Sequence, residues 1–599
     1  MFLPVTREEM NDRGWQQADF VLVTGDAYVD HHSFGTAIIA RVLESRGYKV
    51  VILARPDYKS ADDFKRFGRP RLGFLINSGV VDSMVNNYSV FKNKRKKDEY
   101  APGGKAGGRP DRALTVYANR AREAYKGVPV IIGGIEASLR RLGHYDYWSD
   151  KIRRSVLLDS KADLLIYGMG ERAVVEIADA LDSGIDIKDI TWIRGTCWKG
   201  RKAPSGDDWI ILPEFAQINS DKRKYAESFR SQYENNDSVT AKGLAEKYSD
   251  TVWLMQNPPQ PPLSQEELDD VYRLPFENEP HPSYMEAGGI PAFEEVKFSI
   301  VSSRGCFGGC SFCAITYHQG RQVRGRSKEA IVAEAEKLTK RKDFKGYIHD
   351  VGGPTANFRG PACAKQLKSG VCSHKDCLYP KVCSAIRPDH GEYFDILRSV
   401  RQLPGVKKVF IRSGIRYDYL LADEKCDQYI EELCKNHVSG TLKVAPEHIS
   451  DAVLACMHKP SKDSFIRFVQ KYKKANEKLG LKQYLIPYLI SSHPGSRLED
   501  GAELALFLKD YGFVPDQVQD FYPTPGTLAT GMYYTGIDPL TMKKVYVART
   551  MEEKKMQRAL LHFHKRENRE TVKKALEKIG RSDLFYLLTS QKHHKNKRM

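Results

Sequence analysis

Short apolar runs ending in glycine, each followed by a stretch of helical periodicity, recur along this chain, and that alternation restricts the fold more than any other feature. VLVTG (21–25) precedes TAIIARVLESRG (36–47), where apolar residues recur at helical spacing and Gly47 supplies the stop. PVIIGG (129–134) and DLLIYG (163–168) repeat the pattern, the second before ERAVVEIADALDSG (171–184). Strands that are apolar throughout bury both faces, so the alternation predicts a parallel sheet with helices on both sides, a Rossmann-like α/β domain over residues 1–255. KNKRKKDEYAPGGKAGGRPDR (92–112) interrupts it and reads as a mobile surface loop; its Gly104-Lys105 pair lacks the spacing and following hydroxyl of a phosphate-binding loop.

Residues 256–293 open with QNPPQPPL and carry further prolines at 275, 280, 282 and 291. Proline at that density predicts a linker without helix or central strand. A second series follows over 294–562. Strand-like runs lie at 296–303, 346–351, 407–412, 440–445, 482–490 and 516–522, with helical patterns at about 327–341, 389–402, 424–436, 461–479 and 498–511. Ser327 is placed to cap the first of these helices and Gly480 to end the fourth. Six strands with crossover helices predict a partial (β/α)6 barrel of the TIM type. Residues 563–599 form a basic extension, expected to be a solvated helix ending in a frayed KHHKNKRM.

With 41% hydrophobic residues the chain can bury cores of ordinary size, and it holds no apolar run of the roughly 20 residues that span a bilayer. MFLPVTREEMNDRG lacks the basic-then-apolar pattern of a secretory signal, so a soluble cytoplasmic protein with no membrane partner is expected. Eleven cysteines, an odd number, then argue against a disulfide framework and for thiolates kept reduced as metal ligands or buried apolar groups.

Three of them fall within eight residues. Cys306-x3-Cys310-x2-Cys313 stands directly after the first strand of the second series, in SSRGCFGGCSFCAI, with glycines that permit tight turns. Thiolates so spaced can hold three irons of a [4Fe–4S] cube and leave the fourth open; a structural zinc site would need a fourth ligand, for which His318 is near enough in sequence. A second group, Cys363, Cys372, Cys377 and Cys383, lies in a Pro/Gly-rich excursion after the second strand (356–386). A loop so long and aperiodic calls for a staple, and a second metal, zinc or an iron–sulfur cluster, would supply one.

The Cys-x3-Cys-x2-Cys loop after the first barrel strand resembles the signature of the radical S-adenosylmethionine (SAM) superfamily. DVGGPT (350–355) is similar to its glycine-rich motif, which implies that Gly352 and Gly353 meet the amino group of SAM. IRSGIRYD (411–418) and KVAPEHISDAVLACM (443–457) resemble its later strand ends near ribose and carboxylate, implicating Ser413 and Glu447; IPYLISSHPGS (486–496) resembles the segment beside adenine and implicates Pro487. The whole chain is similar to the YgiQ-type branch, through GGIEASLRRLGHYDYWSDKIRRS (133–155) and DFYPTPGTLATGMYYTG (520–536). The resemblance implies an enzyme that reduces SAM at its cluster with an electron from a donor such as a flavodoxin or ferredoxin, and starts radical chemistry on an unidentified substrate. Its catalytic hydrogen donor is not identified by the sequence; Tyr317, Tyr522 and His493 are the polar candidates, with packing as the alternative role for each.

Asp30-x-His32-x-x-Gly35 resembles the loop whose histidine ligates cobalt in cobalamin-binding Rossmann domains, and Gly133-Gly134 resembles a later element of them; the insertion between Ser78 and Gly133 departs from their spacing. A cobalamin-dependent methyltransferase is therefore one alternative. Another is a nucleic-acid-binding protein with a structural iron–sulfur or zinc site, because residues 543–599 hold 17 basic and 6 acidic side chains and suit RNA or another polyanion.

Overall fold

Phe20–Thr24 (β1), buried at every position, pairs in parallel with Val50–Ala54 (β2) on one side and Gly73–Asn77 (β3) on the other. In this computed structural model, which describes residues 1–513, 515 and 518–590, Val130–Ile132 (β4) and Leu164–Ile166 (β5) continue the parallel run beyond β3. The order β2-β1-β3-β4-β5 reverses direction between β1 and β3, the place where open α/β sheets leave a crevice at their strand ends. Helices Gly35–Ser45 (α1) and Glu171–Asp182 (α2) cover one face.

Past β5 the expected parallel sheet gives way to a mixed one. Thr196–Gly200 (β6), Trp209–Ile211 (β7), Gly243–Ser249 (β8) and Val252–Gln256 (β9) complete nine strands in the order β7-β8-β9-β6-β5-β4-β3-β1-β2, with β6, β8 and β9 joined by antiparallel ladders. The β8–β9 connection is too short for a parallel crossover. The 92–112 segment is pinned rather than mobile: Arg109 is buried and donates to Asp26 Oδ1 at 2.5 Å and to the Ser78 carbonyl at 2.6 Å, while Asp98 accepts from Arg55 at 3.0 Å.

The proline-rich segment also holds a helix, Gln265–Arg273 (α3), where none was expected. Its prolines flank the helix, and Ser264 and Glu267 close a reciprocal cap on it. Leu268, Val271 and Tyr272 bury against Ile38 and Val42 of α1.

The second series follows the expected order. Its strands are Ser299–Val301 (β10), Tyr347–Ile348 (β11), Asp350–Gly352 (β12), Lys408–Val409 (β13), Thr441–Glu447 (β14), Tyr484–Ser491 (β15) and Val518–Asp520 (β16). Asp516 and Gln517, at the start of the last expected strand, lie outside the described residues. The ladders β10·β12, β11·β13 and β14·β15·β16 are all parallel, and β11 and β12 are halves of one strand shared between two neighbours. Among the described residues no ladder joins β16 to β10, as in an incomplete barrel. Helices Lys328–Thr339 (α4), Gly391–Arg401 (α5), Cys426–Asn436 (α6), Lys462–Lys478 (α7) and Leu498–Asp510 (α8) fall where periodicity places them. Ser327 accepts the Ala330 amide at 3.1 Å, and Gly480 ends α7 at φ +63°. Ile300, Ile348, Val351, Val409, Val444 and Leu489 form the core with the inner faces of these helices. No described helix is long and apolar enough to cross a membrane.

Leu528–Thr535 (α9) packs Leu528 and Met532 on Phe229 of the N-terminal half. The basic extension is not a solvated tail. Met551–Leu561 (α10), Arg569–Lys578 (α11) and Asp583–Thr589 (α12) bury Leu560, Val572, Leu576, Leu584 and Leu588 against Leu498, Ala502 and Ala505 of α8. KHHKNKRM lies outside the described residues. Leu576→Ala should cost about 2–5 kcal/mol locally, as for a buried leucine in a core, and should make residues 563–590 susceptible to limited proteolysis under conditions where the wild type resists.

Candidate active site

A two-residue ladder between Ser303–Arg304 and Arg324–Gly325 closes the loop that carries Cys306, Cys310 and Cys313. Gly305 begins it at φ +81°, where a β-carbon would strike the Gln322 carbonyl, so only glycine fits. Phe307 anchors the loop inward, stacked on Phe358 with centroids 3.7 Å apart. Ser311 pins it from two directions: its amide donates to the Met457 carbonyl at 3.0 Å, and its carbonyl accepts from Ala529 at 2.9 Å.

The thiols stand among donors. Gly308 N–H lies 3.4 Å from Cys306 Sγ, and Arg416 Nη1 lies 3.4 Å from Cys310 Sγ. Arg416 is itself held by Asp418 through two hydrogen bonds of 2.8 and 2.9 Å. Burial pushes the Asp418 carboxyl up, but the guanidinium outweighs it and holds the group below its ordinary value. Burial, reinforced by the Cys310 and Cys306 thiols, pushes Cys313 up to about 12. Three thiolates therefore need a compensating cation here.

The glycine pair at the end of β12 meets two other strand ends. A β-carbon on Gly352 would strike Ser413 Oγ, and one on Gly353 would lie 2.7 Å from the Ser303 carbonyl. Asp350 ties the junction together, accepting from the amides of Arg412 at 2.8 Å and Ser413 at 3.2 Å. Gly352, Gly353 and Ser413 border a cavity of about 710 Å³ between barrel and N-terminal domain. Its far wall is the strand-end crevice of the nine-stranded sheet, reached at Asn77, Gly79 and Gly133-Gly134. Three of its polar atoms are buried without hydrogen-bond partners, Glu171 Oε2, Ser303 Oγ and Arg304 Nη2, while His32 Nε2, also on its wall, lies 3.2 Å from Glu334 Oε1. A mostly apolar cavity of this size with a few convergent polar groups has the form of a small-molecule site.

Other candidates are placed elsewhere. Glu447, at φ +68° on the end of β14, is near Arg416 and Lys459; burial raises its carboxyl while those cations oppose the rise. Pro487 is buried in β15 opposite Val444. His493 gives Nδ1 to the Pro494 carbonyl at 2.8 Å and lies 3.3 Å from Ser311 Oγ, supporting the cysteine loop. Tyr522 bonds the Tyr88 carbonyl at 3.0 Å and packs on Trp148, away from the thiols. Tyr317 lies under the Arg141 guanidinium at 3.9 Å and lines a small pocket with Cys310 and Cys313. In the insertion, Cys372 is exposed and borders that same pocket, while Cys363, Cys377 and Cys383 are half-buried. Asp30 is bound to Arg41 and to the Glu277 amide, not to His32.

These positions can be set beside known proteins. The family described as Radical SAM N-terminal matches residues 2–299, Radical SAM superfamily matches 300–508, and Domain of unknown function (DUF3362) matches 516–594. A UPF0313 protein of Clostridium perfringens is 58% identical over 585 residues, 98% of this chain and 88% of that protein. The chain belongs to the UPF0313, YgiQ-type family of radical SAM proteins. A UPF0313 protein of Clostridium botulinum is 55% identical over 584 residues, 98% of this chain and 90% of its own. Among solved structures, the radical SAM methyltransferase TsrM of Kitasatospora setae with cobalamin and a [4Fe–4S] cluster bound aligns at TM-score 0.48 and 14% identity, covering 86% of this chain and 77% of TsrM. OxsB, a cobalamin-dependent SAM radical enzyme, aligns at 0.48 and 10%, covering 97% and 73%. This UPF0313 protein is thus an enzyme of the radical SAM class, whose members use a [4Fe–4S] cluster and SAM and need a reductant.

The three thiols share one loop, with Cys310 and Cys313 on one small pocket. Among the described residues no three or more His, Cys, Asp or Glu side chains converge on one ion, as tetrahedral zinc demands, whereas the thiolates of a cube each take a separate iron. His318 is no fourth zinc ligand; its Nδ1 lies 2.9 Å from Ser138 Oγ, on the cavity wall. Sequence reasoning missed Arg416, Arg304 and Glu171. Only the Arg416-x-Asp418 spacing carried a signal, because Arg304 meets Glu171 from 133 residues away. Arg416→Met should leave Asp418 a buried unpaired carboxylate, at a cost of about 3–5 kcal/mol, and, by removing a cation beside the cluster, shift its midpoint potential to more negative values in an anaerobic redox titration.

Proposed function

We propose that this UPF0313 protein cleaves SAM reductively on a [4Fe–4S] cluster held by Cys306, Cys310 and Cys313, and turns the resulting radical on a small-molecule substrate in the interdomain cavity. When bound, cluster and SAM supply methionine and a 5′-deoxyadenosyl radical able to abstract hydrogen. The chain's own residues supply the setting. The Arg416 cation and the Gly308 amide dipole face the sulfurs, Asp350 holds the Gly352-Gly353 and Ser413 strand ends together, and the N-terminal sheet walls one side of the cavity. Arg304 Nη2 and Glu171 Oε2, buried and unpartnered, offer a substrate one donor and one acceptor.

One observation carries the reading: the strand-end glycines, Ser413 and the helix that follows the cysteines all border one cavity. After anaerobic reconstitution, reduced protein with SAM should release 5′-deoxyadenosine, and Cys310→Ala should lose both iron and that product. An iron-loaded wild type that releases none would exclude the reading.

A corrinoid in the same cavity is a second reading, favoured by His32, which borders the crevice and is held neutral, its pKa lowered to about 3 by burial beside Arg326 and Arg304; its Nε2, 3.2 Å from Glu334 Oε1, would have to leave that carboxylate to reach a metal. Asp30, committed to Arg41, does not orient that ring. Apo-protein incubated with hydroxocobalamin should retain a corrin spectrum that His32→Ala alters; failure to retain any corrin removes the idea. The second cysteine group could hold zinc or an iron–sulfur cluster. Metal analysis of Cys372→Ala against Cys310→Ala should then show separable losses, and a single shared loss would mean one site.

A further inference from the structure

We propose that the cysteine-rich insertion is the docking face for an acidic one-electron carrier protein; the inference rests on the reading that Cys306, Cys310 and Cys313 hold a reducible cluster. Lys365, Lys368, Lys375 and Lys381 are all exposed there, and among the described residues none forms an ion pair. Some exposed lysines elsewhere are paired, as Lys328 is with Asp395 and Lys478 with Glu431, and others such as Lys94, Lys96 and Lys97 are not, so what singles out these four is their place beside the cysteine loop. Asp376, in the midst of these lysines, cannot neutralise them, because Arg321 and His458 already hold it at 3.1 and 2.7 Å. Leu367, 57% exposed between Lys365 and Lys368, gives the patch an apolar centre. A cationic rim around a small apolar spot suits the small, electrostatically steered interfaces of electron-transfer partners.

The patch also lies over the correct part of the molecule. Arg321 clamps the insertion to the cysteine loop through the carbonyls of Cys372 and Lys375, each at 3.2 Å. A β-carbon on Gly309, between Cys306 and Cys310, would lie 3.0 Å from Asp376 Oδ1. Cys306 shares an apolar cluster with Cys377 and Cys383. The insertion that carries the lysines therefore lies directly against the cysteine loop, while the N-terminal domain walls the cavity side and Ala529 of α9 bonds Ser311. A nucleic acid is a poorer fit, since the patch offers no free aromatic face: Tyr379 is stacked on His458 and Phe358 is buried. In the step itself one electron leaves the reduced carrier, which is oxidised by one unit, and reduces the cluster by one; no atom is transferred.

The test compares the reconstituted wild type with Lys365→Glu/Lys368→Glu/Lys381→Glu. Reduced flavodoxin serves as the acidic carrier, and photoreduced 5-deazaflavin as a reductant that needs no docking face. The variant should form 5′-deoxyadenosine about tenfold or more slowly with flavodoxin and lose the wild type's sensitivity to salt, yet match the wild type with deazaflavin, which also shows that it is folded and loaded. Equal flavodoxin-driven rates in the two proteins would overturn the proposal, and weakened binding of a labelled RNA alongside equal rates would reassign the patch to a polyanion. A wild type inactive with deazaflavin would overturn the underlying reading, and the docking face with it.

Discussion

Three half-buried thiols in one short loop set the central constraint on this molecule. Burial and the neighbouring thiols push Cys306 and Cys313 up, against the ionisation that metal binding needs, so the loop in its working form draws on the cations and amide dipoles built around it. Arg416 is the most costly of these provisions. A guanidinium cannot be left alone in an interior, and Asp418 exists beside it to form a two-bonded pair whose free edge points at Cys310. Much else follows from holding that loop still: Phe307 driven into the insertion, Ser311 fastened by Met457 and Ala529, and His493 kept neutral behind it.

Two rules of α/β architecture converge at the cavity. Open sheets bind ligands at the strand ends where their order reverses, and barrels bind them at the carboxyl ends of their strands. In this chain the two faces are set against each other, so one space is walled by both. That explains why the polar atoms left without partners come from both halves, Glu171 from one and Ser303 and Arg304 from the other.

The barrel's helices and strands were legible because periodicity, caps and glycine stops all agreed on them. The cysteine loop was legible because spacing alone limits what three thiolates can bind. The failures have a common cause, which is that the deciding partner lies far away in the chain. Residues 92–112 look like loose loop by composition, but Arg109 finds Asp26 from 83 residues away. The proline-rich stretch hid α3 although Ser264 and Glu267 carried a capping signature, because proline density was weighed above local cap chemistry. The basic C-terminus looked solvated because its charges outnumber its leucines, yet those leucines share one face and meet α8. Arg304 and Glu171 had no pattern to betray them, since an isolated charged residue has no period.

The bond from Ala529 to the Ser311 carbonyl has an implication for how the protein is made. A ribosome delivers the cysteines more than two hundred residues before the segment that covers them. The growing polypeptide thus carries its sulfurs unsheltered through most of the second half of its synthesis. The bond that fixes Ser311 from this side can form only once residue 529 has been made.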